Sequence, residues 1–174
     1  MATKKWVIDP SHSEISFKVK HLMISSVTGY FRKFEGHAQA SDDFKKVDEV
    51  EFHAYIDSVD TNNEERDTHL KSDDFFNAEK HPKLSFKATN VDVESGKVTG
   101  DLTIRDVTEK VTMDLDFGGV VEDPYGQTKA GVTVSGKVKR KNFHLKWNAV
   151  TEAGNVVVSD DVKINAEVQF VKQD

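Results

Sequence analysis

The sequence predicts an all-β fold, an antiparallel sandwich or barrel crossed by one or two short helices. Three observations support this prediction: apolar and polar residues alternate along most of the chain, turn-like segments separate the alternating runs, and one segment breaks the alternation. Successive side chains of a strand point to opposite faces, so each run indicates a strand with one buried face. About eight such runs with polar outer faces predict a sheet that packs or closes on itself.

The alternating runs follow one another from the N-terminus. The first, EISFKVKH, places Ile15, Phe17 and Val19 on one face and ends that row with His21. The other runs lie at residues 29–40, VEFHAYI (50–56), KLSFKATNV (83–91), KVTGDLTIR (97–105), KVTMDLDF (110–117), AGVTVSGKV (130–138) and DVKINAEVQF (161–170). Turn-like stretches such as ESGK and EDPYGQ join them.

The segment 60–82 does not alternate and predicts the helical part of the chain. Asn62 or Asn63 can cap a helix, and the glutamates that follow suit its positive first turn. We expect this helix to end near Lys71 or Ser72. The letters SDDFF then resemble a second helix N-cap, and Pro82 would end any helix that follows it.

Composition and charge restrict the class of protein. The 174 residues are expected to form one domain, 1–174, and 37% hydrophobic with 31% charged residues is typical of a soluble protein. The net charge of −6 argues against a nucleic-acid partner. The first ten residues have no apolar run like that of a secretory signal, and nothing resembles a membrane helix, so we expect a cytoplasmic protein.

The interior of such a fold is either a filled core or a pocket. Eleven phenylalanines suit both, and a filled core is the commoner arrangement. His21 is either a hydrogen-bonded core histidine or the polar mouth of a pocket. The letters RDTHL supply Arg66, Asp67 and His69, and two phenylalanines follow, which fits either a lid over a pocket or a solvated helix.

Catalytic and metal-binding signals are weak in this sequence. His12 lies between two serines, but the Gly-x-Ser-x-Gly elbow is missing, and a turn before the first strand explains these residues better. Cysteine, His-x-His and His-Glu-x-x-His are absent, and the SDD runs suit turns and caps better than calcium loops. We therefore predict no catalytic residue, no metal and no cofactor.

A basic stretch, KVKRKNFHLKW (137–147), interleaves lysines and an arginine with Phe143, His144 and Trp147. In an acidic protein such a stretch is usually a solvated strand and loop. An alternative hypothesis is a transient contact with an anionic bilayer, from which an apolar guest would be loaded.

The ordered motifs of the chain resemble the YceI-like polyisoprenoid-binding family. The resemblance begins with an aromatic residue, Ile-Asp-Pro-x-His-Ser, a strand ending in His-Leu, and Gly-x-Phe-x-x-Phe-x-Gly. These motif residues are Trp6, Ile8, Asp9, Pro10, His12, Ser13, His21, Leu22, Gly29, Phe31, Phe34 and Gly36. It continues through RDTHLKSDDFFNAEKHPKLSF, GDLTIRDVTEKV and DDVKINAEVQF, which together cover nearly the whole chain.

The resemblance implies an extended antiparallel eight-stranded barrel, lipocalin-like, with an apolar cavity for a long isoprenoid or similar amphiphile. It also implies a homodimer. Two positions depart from the family pattern: Asp106 stands where glycine is usual after LTIR, and His144 follows Phe143, where the family tends to have a small residue. Asp tolerates left-handed turn geometry, so we expect the first turn to survive.

The predicted function is binding of a polyisoprenoid, isoprenoid quinone or fatty-acid-like lipid, for carriage, storage or protection. The alternatives are an enzyme acting on such a lipid and an interaction module with a filled core. The predicted ligand contacts are Ile15, Phe17, Val19, His21, Phe31, Phe34, Phe52, Arg66, Asp67, His69, Phe75, Phe76, Phe86, Leu102 and Ile104.

Overall fold

The computed structural model describes residues 3–22, 24–145 and 158–173, which are mostly β-strand. The strands are β1 (Lys4–Ile8), β2 (Glu14–His21), β3 (Ser25–Phe31), β4 (Phe34–Ala40), β5 (Lys46–Tyr55), β6 (Val59–Asp60), β7 (Lys83–Asp92), β8 (Lys97–Ile104), β9 (Val107–Glu122), β10 (Thr128–Lys139) and β11 (Val158–Lys172). Within these residues the single α-helix is α1 (Glu64–Lys71). No helix in the described part of the chain is long and apolar enough to cross a membrane.

The strands close into an antiparallel eight-stranded barrel, as predicted, rather than a sandwich. We call each of the eight strand positions in the barrel wall a stave, because some of them consist of two of the strands named above. β1 and β2 are two halves of one stave, because both pair with β11. β4 and β3 form the next stave and pair with β1 and β2 respectively. The barrel continues through β5, β7, β8, β9 and β10 back to β11, so every stave neighbours the next one in sequence.

The alternation in the sequence corresponds to burial in the barrel. β8 buries Val98, Gly100, Leu102 and Ile104, while the intervening residues face outward. β4 has the same two-residue period, with four buried positions separated by exposed or half-buried ones. The inward rows of all staves therefore meet in one interior.

Helix α1 begins and ends where its sequence signals predict. The Asn63 side chain caps it by accepting a hydrogen bond from the Arg66 backbone N–H at 3.0 Å. The helix ends at Lys71. The SDDFF letters form turns rather than a second helix, since the Phe75 and Asn77 amides both donate to the Ser72 carbonyl.

Two motif glycines make room for side chains on the neighbouring stave. A Cβ on Gly29 would lie 2.3 Å from the ring of Phe17, which is its direct cross-strand partner. A Cβ on Gly36 would lie 2.6 Å from the end of the Ile8 side chain. Side-chain volume from one strand thus fills the space that glycine leaves on the other.

The turn after β8 forms as expected, but its left-handed residue is Arg105 (φ 57°) and not Asp106. The guanidinium of Arg105 compensates for this unfavourable backbone by donating to the carbonyl oxygens of Asp73 and Phe75 at 3.1 and 3.2 Å. It also pairs with the Asp73 carboxylate at 3.0 Å. His144, at the second departure, is itself left-handed (φ 62°), which explains why a small residue suits that position.

The break between β1 and β2 is a short turn stabilised by Asp9. Its carboxylate accepts hydrogen bonds from the backbone N–H and the hydroxyl of Ser11, at 3.0 and 2.7 Å, and lies 2.8 Å from Nδ1 of His12. These contacts, the Ser11 hydroxyl first, lower the pKa of Asp9 from 3.8 to about 2. The turn predicted around His12 is therefore present.

We expect Asp9→Asn to destabilise the protein at neutral pH and to matter little in strong acid. A lowered carboxyl pKa contributes stability above pH 3.8, and this contribution is lost as the pH falls through about 2. Because the side chain is 20% exposed, we expect a loss of about 1–2 kcal/mol at pH 7. Urea unfolding at pH 7 and pH 2 checks this, with the exposed Asp48→Asn as control. Equal losses at both pH values would contradict the electrostatic explanation.

Candidate functional site

An apolar cavity of about 390 Å³ runs along the inside of the barrel. Its lining extends from Ile8, Phe44 and Phe170 at one end to His21 and Arg66 at the other. The volume falls within the roughly 300–1,000 Å³ typical of sites for small molecules. The barrel interior therefore contains a pocket, as the family resemblance implies, and is not the filled core that is the commoner arrangement.

One end of the cavity, which we call the aromatic end, is closed by four packed rings. The ring of Phe44 lies 5.0 Å from Trp6, 5.0 Å from Phe170 and 6.3 Å from Phe117. Trp6 is completely buried and Phe44 nearly so. Of these four residues Phe44 and Phe170 line the cavity, and neither side chain carries a polar group, so this end suits the tip of an apolar chain.

The opposite end, which we call the polar end, contains nearly all of the polar lining. Among the described residues it is formed by α1, the facing ends of β2 and β3 and the residues at the C-terminal end of β10. The polar lining residues are Ser16, Lys20, His21, Thr61, Arg66, His69 and Arg140, and all except Ser16 belong to this end. His21 and Arg66 border the cavity and are also exposed, so the cavity reaches the surface here. His21 thus ends an apolar row where that row meets solvent.

Arg66 is held at the polar end through a chain of hydrogen bonds. Its Nε donates to the Thr61 hydroxyl at 2.8 Å, and that hydroxyl donates to the Asp67 carboxylate at 2.6 Å. The Thr61 backbone N–H donates to the same Asp67 oxygen. Asp67 therefore orients Thr61 and, through it, the guanidinium of Arg66.

His69 is the second side chain that α1 places beside the cavity. Its Nε2 lies 2.8 Å from the Asp74 carboxylate, and its ring meets the Phe75 ring edge-on at 5.1 Å. The helix thus packs against Phe75 beside the cavity, and Phe76 also lines it; whether this group acts as a lid stays a prediction.

Arg140 is a buried cation in the cavity wall that sequence reasoning did not single out. Only 3% of it is exposed. Its three nitrogens donate to the carbonyl oxygens of Ser159, Leu145 and Val158 at 2.9, 2.7 and 3.3 Å. Burial lowers the pKa of Arg140, and the nearby Asp160 opposes this, but a guanidinium stays protonated at neutral pH.

The burial of Arg140 shows that the basic stretch, expected to be a solvated strand and loop, is solvated only in part. Lys137 and Lys139 are exposed and pair with Asp161, but Arg140 and Phe143 point inward. Trp147, the last aromatic residue of that stretch, lies outside the described residues.

Most of the predicted ligand contacts converge on the cavity. Those that line it are Ile15, Phe17, Val19, His21, Phe31, Phe52, Arg66, His69, Phe75, Phe76, Phe86, Leu102 and Ile104. Phe34 and Asp67 do not line it: Phe34 is buried against Phe52, with ring centres 6.1 Å apart, and Asp67 binds Thr61. Whether the lining residues contact a guest stays a prediction.

The prediction omitted the contribution of the last three strands, β9, β10 and β11. Inward residues of β9, β10 and β11 line the cavity as fully as those of β2 and β5. The omitted lining includes Met113, Leu115, Val132, Val134, Val138, Val162, Ile164, Ala166, Val168 and Phe170. Their alternation was visible in the sequence, and closure of the barrel gives every inward row the same role.

The cluster of Asp9, Ser11 and His12 does not form a catalytic triad. In a triad the imidazole uses one nitrogen for the carboxylate and the other for the hydroxyl. Here Nδ1 of His12 lies 2.8 Å from Asp9 and 3.2 Å from the Ser11 hydroxyl, so both partners share one nitrogen. The Ser11 hydroxyl moreover donates to Asp9, so these contacts do not place His12 as the base for Ser11.

Solved structures with a similar fold include a YceI protein and a polyisoprenoid-binding domain. A Campylobacter jejuni YceI protein is 31% identical, with a TM-score of 0.74 over 89% of this chain and 90% of its own. A polyisoprenoid-binding domain from Saccharophagus degradans is 15% identical, with a TM-score of 0.72 over 97% of this chain and 98% of its own. At 15% identity, the similarity to the Saccharophagus degradans domain shows a shared fold alone.

Sequence comparison identifies the family. A UPF0312 protein from Staphylococcus epidermidis is 38% identical over 169 residues, covering 95% of this chain and 96% of the relative. A UPF0312 protein from Staphylococcus aureus is 37% identical over 168 residues, covering 95% and 96%. The model of the YceI-like domain matches residues 6–170. With this match, these relatives and the closed eight-stranded barrel, the chain belongs to the YceI-like family.

Proposed function

We propose that the protein binds one long apolar or amphiphilic molecule inside the barrel and carries, stores or protects it. The supporting observation is the segregated cavity, which has a mostly apolar lining, packed aromatic rings at one end and all of its described polar lining residues except Ser16 at the other. A polyisoprenoid, an isoprenoid quinone and a fatty-acid-like lipid all have this pattern of a long tail with one polar head. No catalytic step is needed for this role.

The tail would be held by burial of apolar surface and not by directed bonds. Each Å² of apolar surface removed from water contributes about 25 cal/mol, so a chain along the cavity binds without many specific contacts. The binding free energies of two tails that differ by one methylene would differ by only about 1 kcal/mol. Selection of the guest would therefore depend on the cavity length set by the aromatic end and on the head at the polar end.

The decisive experiment identifies what the protein contains in its own host. Native mass spectrometry of the purified protein, followed by organic extraction, is expected to show a stoichiometric lipid-like species. A polyprenyl, quinone or fatty-acyl mass would support the proposal and name the guest. An empty protein that also fails to take up added lipids of these classes would contradict it, and turnover of the bound lipid would favour the enzyme alternative.

Arg66 provides a test of how the head is bound. Its guanidinium, fixed by Thr61 beside the cavity, favours an anionic head such as a carboxylate. We expect Arg66→Met to lower the affinity for palmitate by only roughly 5-fold, because the site is exposed and its charge is screened. The affinity for hexadecanol should hardly change, because its head carries no charge. Displacement of a dansyl-labelled undecanoic acid measures both. Arg32→Met, at an exposed arginine paired with Asp60, is the control, and equal weakening of both lipids would exclude this role for Arg66.

The homodimer, the transient membrane contact and the cytoplasmic location stay predictions. Analytical ultracentrifugation of the loaded and empty protein tests the first, and retention on anionic liposomes at low salt tests the second.

A further inference from the structure

A cluster of metal-ligating side chains lies on the outer surface of the barrel, away from the cavity. Strand periodicity places Glu49, Glu51 and His53 on the same face of β5. The opposite face of β5 carries Val50, Phe52 and Ala54, which pack toward the core. His37 on β4 pairs directly with Glu51 across the strands. Two staves thus bring two histidines and two carboxylates to one patch.

The distances within this patch suit a shared ion. One ligand atom each from His37, Glu49 and Glu51 lies within 4.8 Å of the others. The two oxygens of Glu51 contact different histidines: one lies 3.8 Å from Nε2 of His37 and the other 3.3 Å from Nε2 of His53. We propose that His37, Glu49 and Glu51, supported by His53, bind a divalent transition-metal ion.

Small movements would complete such a site. An ion with bonds of about 2.0–2.1 Å holds tetrahedral ligand atoms about 3.3–3.4 Å apart. The separations around Glu51 are already close to this value. All four side chains stand on paired strands, so the backbone fixes their spacing, while partial exposure allows their rotamers to adjust. Remaining positions on the ion would be taken by water.

Electrostatics also favour a cation at this position. Glu49 and Glu51 point the same way from one strand, and two like charges this close repel each other. Lys87, 3.4 Å from Glu51, relieves part of the repulsion. A divalent ion would relieve more and would compete with Lys87.

The ligand types indicate which ions fit. Imidazole with carboxylate suits Zn²⁺, Co²⁺, Ni²⁺ or Cu²⁺, whereas Ca²⁺ and Mg²⁺ prefer oxygen ligands alone. The sequence predicted no metal site because it lacks metal-binding motifs such as His-x-His and His-Glu-x-x-His, in which the ligands are close in sequence. The Glu-x-Glu-x-His run of β5 indicates a metal site only once these residues are known to form a strand, because only then do the three side chains share one face. The remaining ligand, His37, lies on β4 and is distant in sequence.

The test is a titration of the full chain with Zn²⁺ alone, followed by competition against a chromogenic zinc indicator at pH 7.5. We expect one equivalent to bind. His37→Ala and Glu51→Gln should each weaken it at least 10-fold, and Lys87→Gln should tighten it 2- to 5-fold by removing the competing charge. His12→Ala is the matched control, because His12 also contacts a carboxylate, at 2.8 Å.

Several outcomes would overturn the proposal. These are the absence of a one-equivalent site, an unchanged affinity in both His37→Ala and Glu51→Gln, equal weakening by His12→Ala, or preference for Ca²⁺ over Zn²⁺. Should a variant fail to fold, as judged by circular dichroism, imidazole NMR of the wild type decides. Zn²⁺ should then shift the resonances of His37 and His53 and leave those of His12 and His81 in place.

Discussion

The Ala166→Trp substitution is expected to lower the affinity for a long-chain guest by roughly 70-fold while leaving the barrel folded. Ala166 lies on β11 between its partners Val134 and Ile15, and all three line the cavity. An indole ring there would occupy the path of the tail. If it displaces roughly 100 Å² of guest surface, the loss at about 25 cal/mol per Å² is about 2.5 kcal/mol, or roughly 70-fold.

The measurement is displacement of a dansyl-labelled fatty acid, with circular dichroism to verify the fold. Glu167→Trp is the matched control, because it places the same ring on the same strand, one residue along, on the exposed outer face. Equal affinity of Ala166→Trp and wild type would show that the guest does not use this part of the barrel.

The strands were predictable because one physical rule produces both the pattern and the fold. A stave with one face toward the interior needs an apolar residue at every second position, and β4 and β8 show this in sequence and in burial alike. Local capping chemistry likewise predicted α1, whose cap is Asn63. What the alternation could not distinguish was closure, since a sandwich and a barrel require the same pattern.

The composition of the site was harder to predict than the fold because it depends on contacts between distant segments. Phe34 and Phe52 are both apolar and inward, yet only Phe52 reaches the cavity, because Phe34 packs behind it. Asp67 and Arg66 are neighbours in sequence, but one orients the other through Thr61. Neither distinction follows from residue type or spacing.

Arg140 is the residue whose structural role was least visible in the sequence, and it is where we expect the largest effect on stability. Arg140→Ala would remove the buried guanidinium hydrogen bonds to the carbonyl oxygens of Ser159, Leu145 and Val158. Bonds from a charged donor contribute roughly 1.5–3 kcal/mol each, and their loss is partly compensated by relaxation and water. We therefore expect a loss of about 3–5 kcal/mol in the free energy of unfolding, measured by urea denaturation.

Two further variants distinguish the contribution of the fixed guanidinium donors to stability from that of the positive charge. Arg140→Lys keeps the charge but supplies a single ammonium in place of three fixed donors, so an intermediate loss is expected. Lys139→Ala removes the adjacent exposed cation, whose pairs with Asp160 and Asp161 lie at 3.9 and 3.4 Å on the surface, and should cost less than about 1 kcal/mol. A loss for Arg140→Ala no larger than that for Lys139→Ala would show that the three buried bonds do not fasten the end of β10 to β11. In that case the polar end of the cavity would depend on apolar contacts such as those of Phe143, which is 1% exposed.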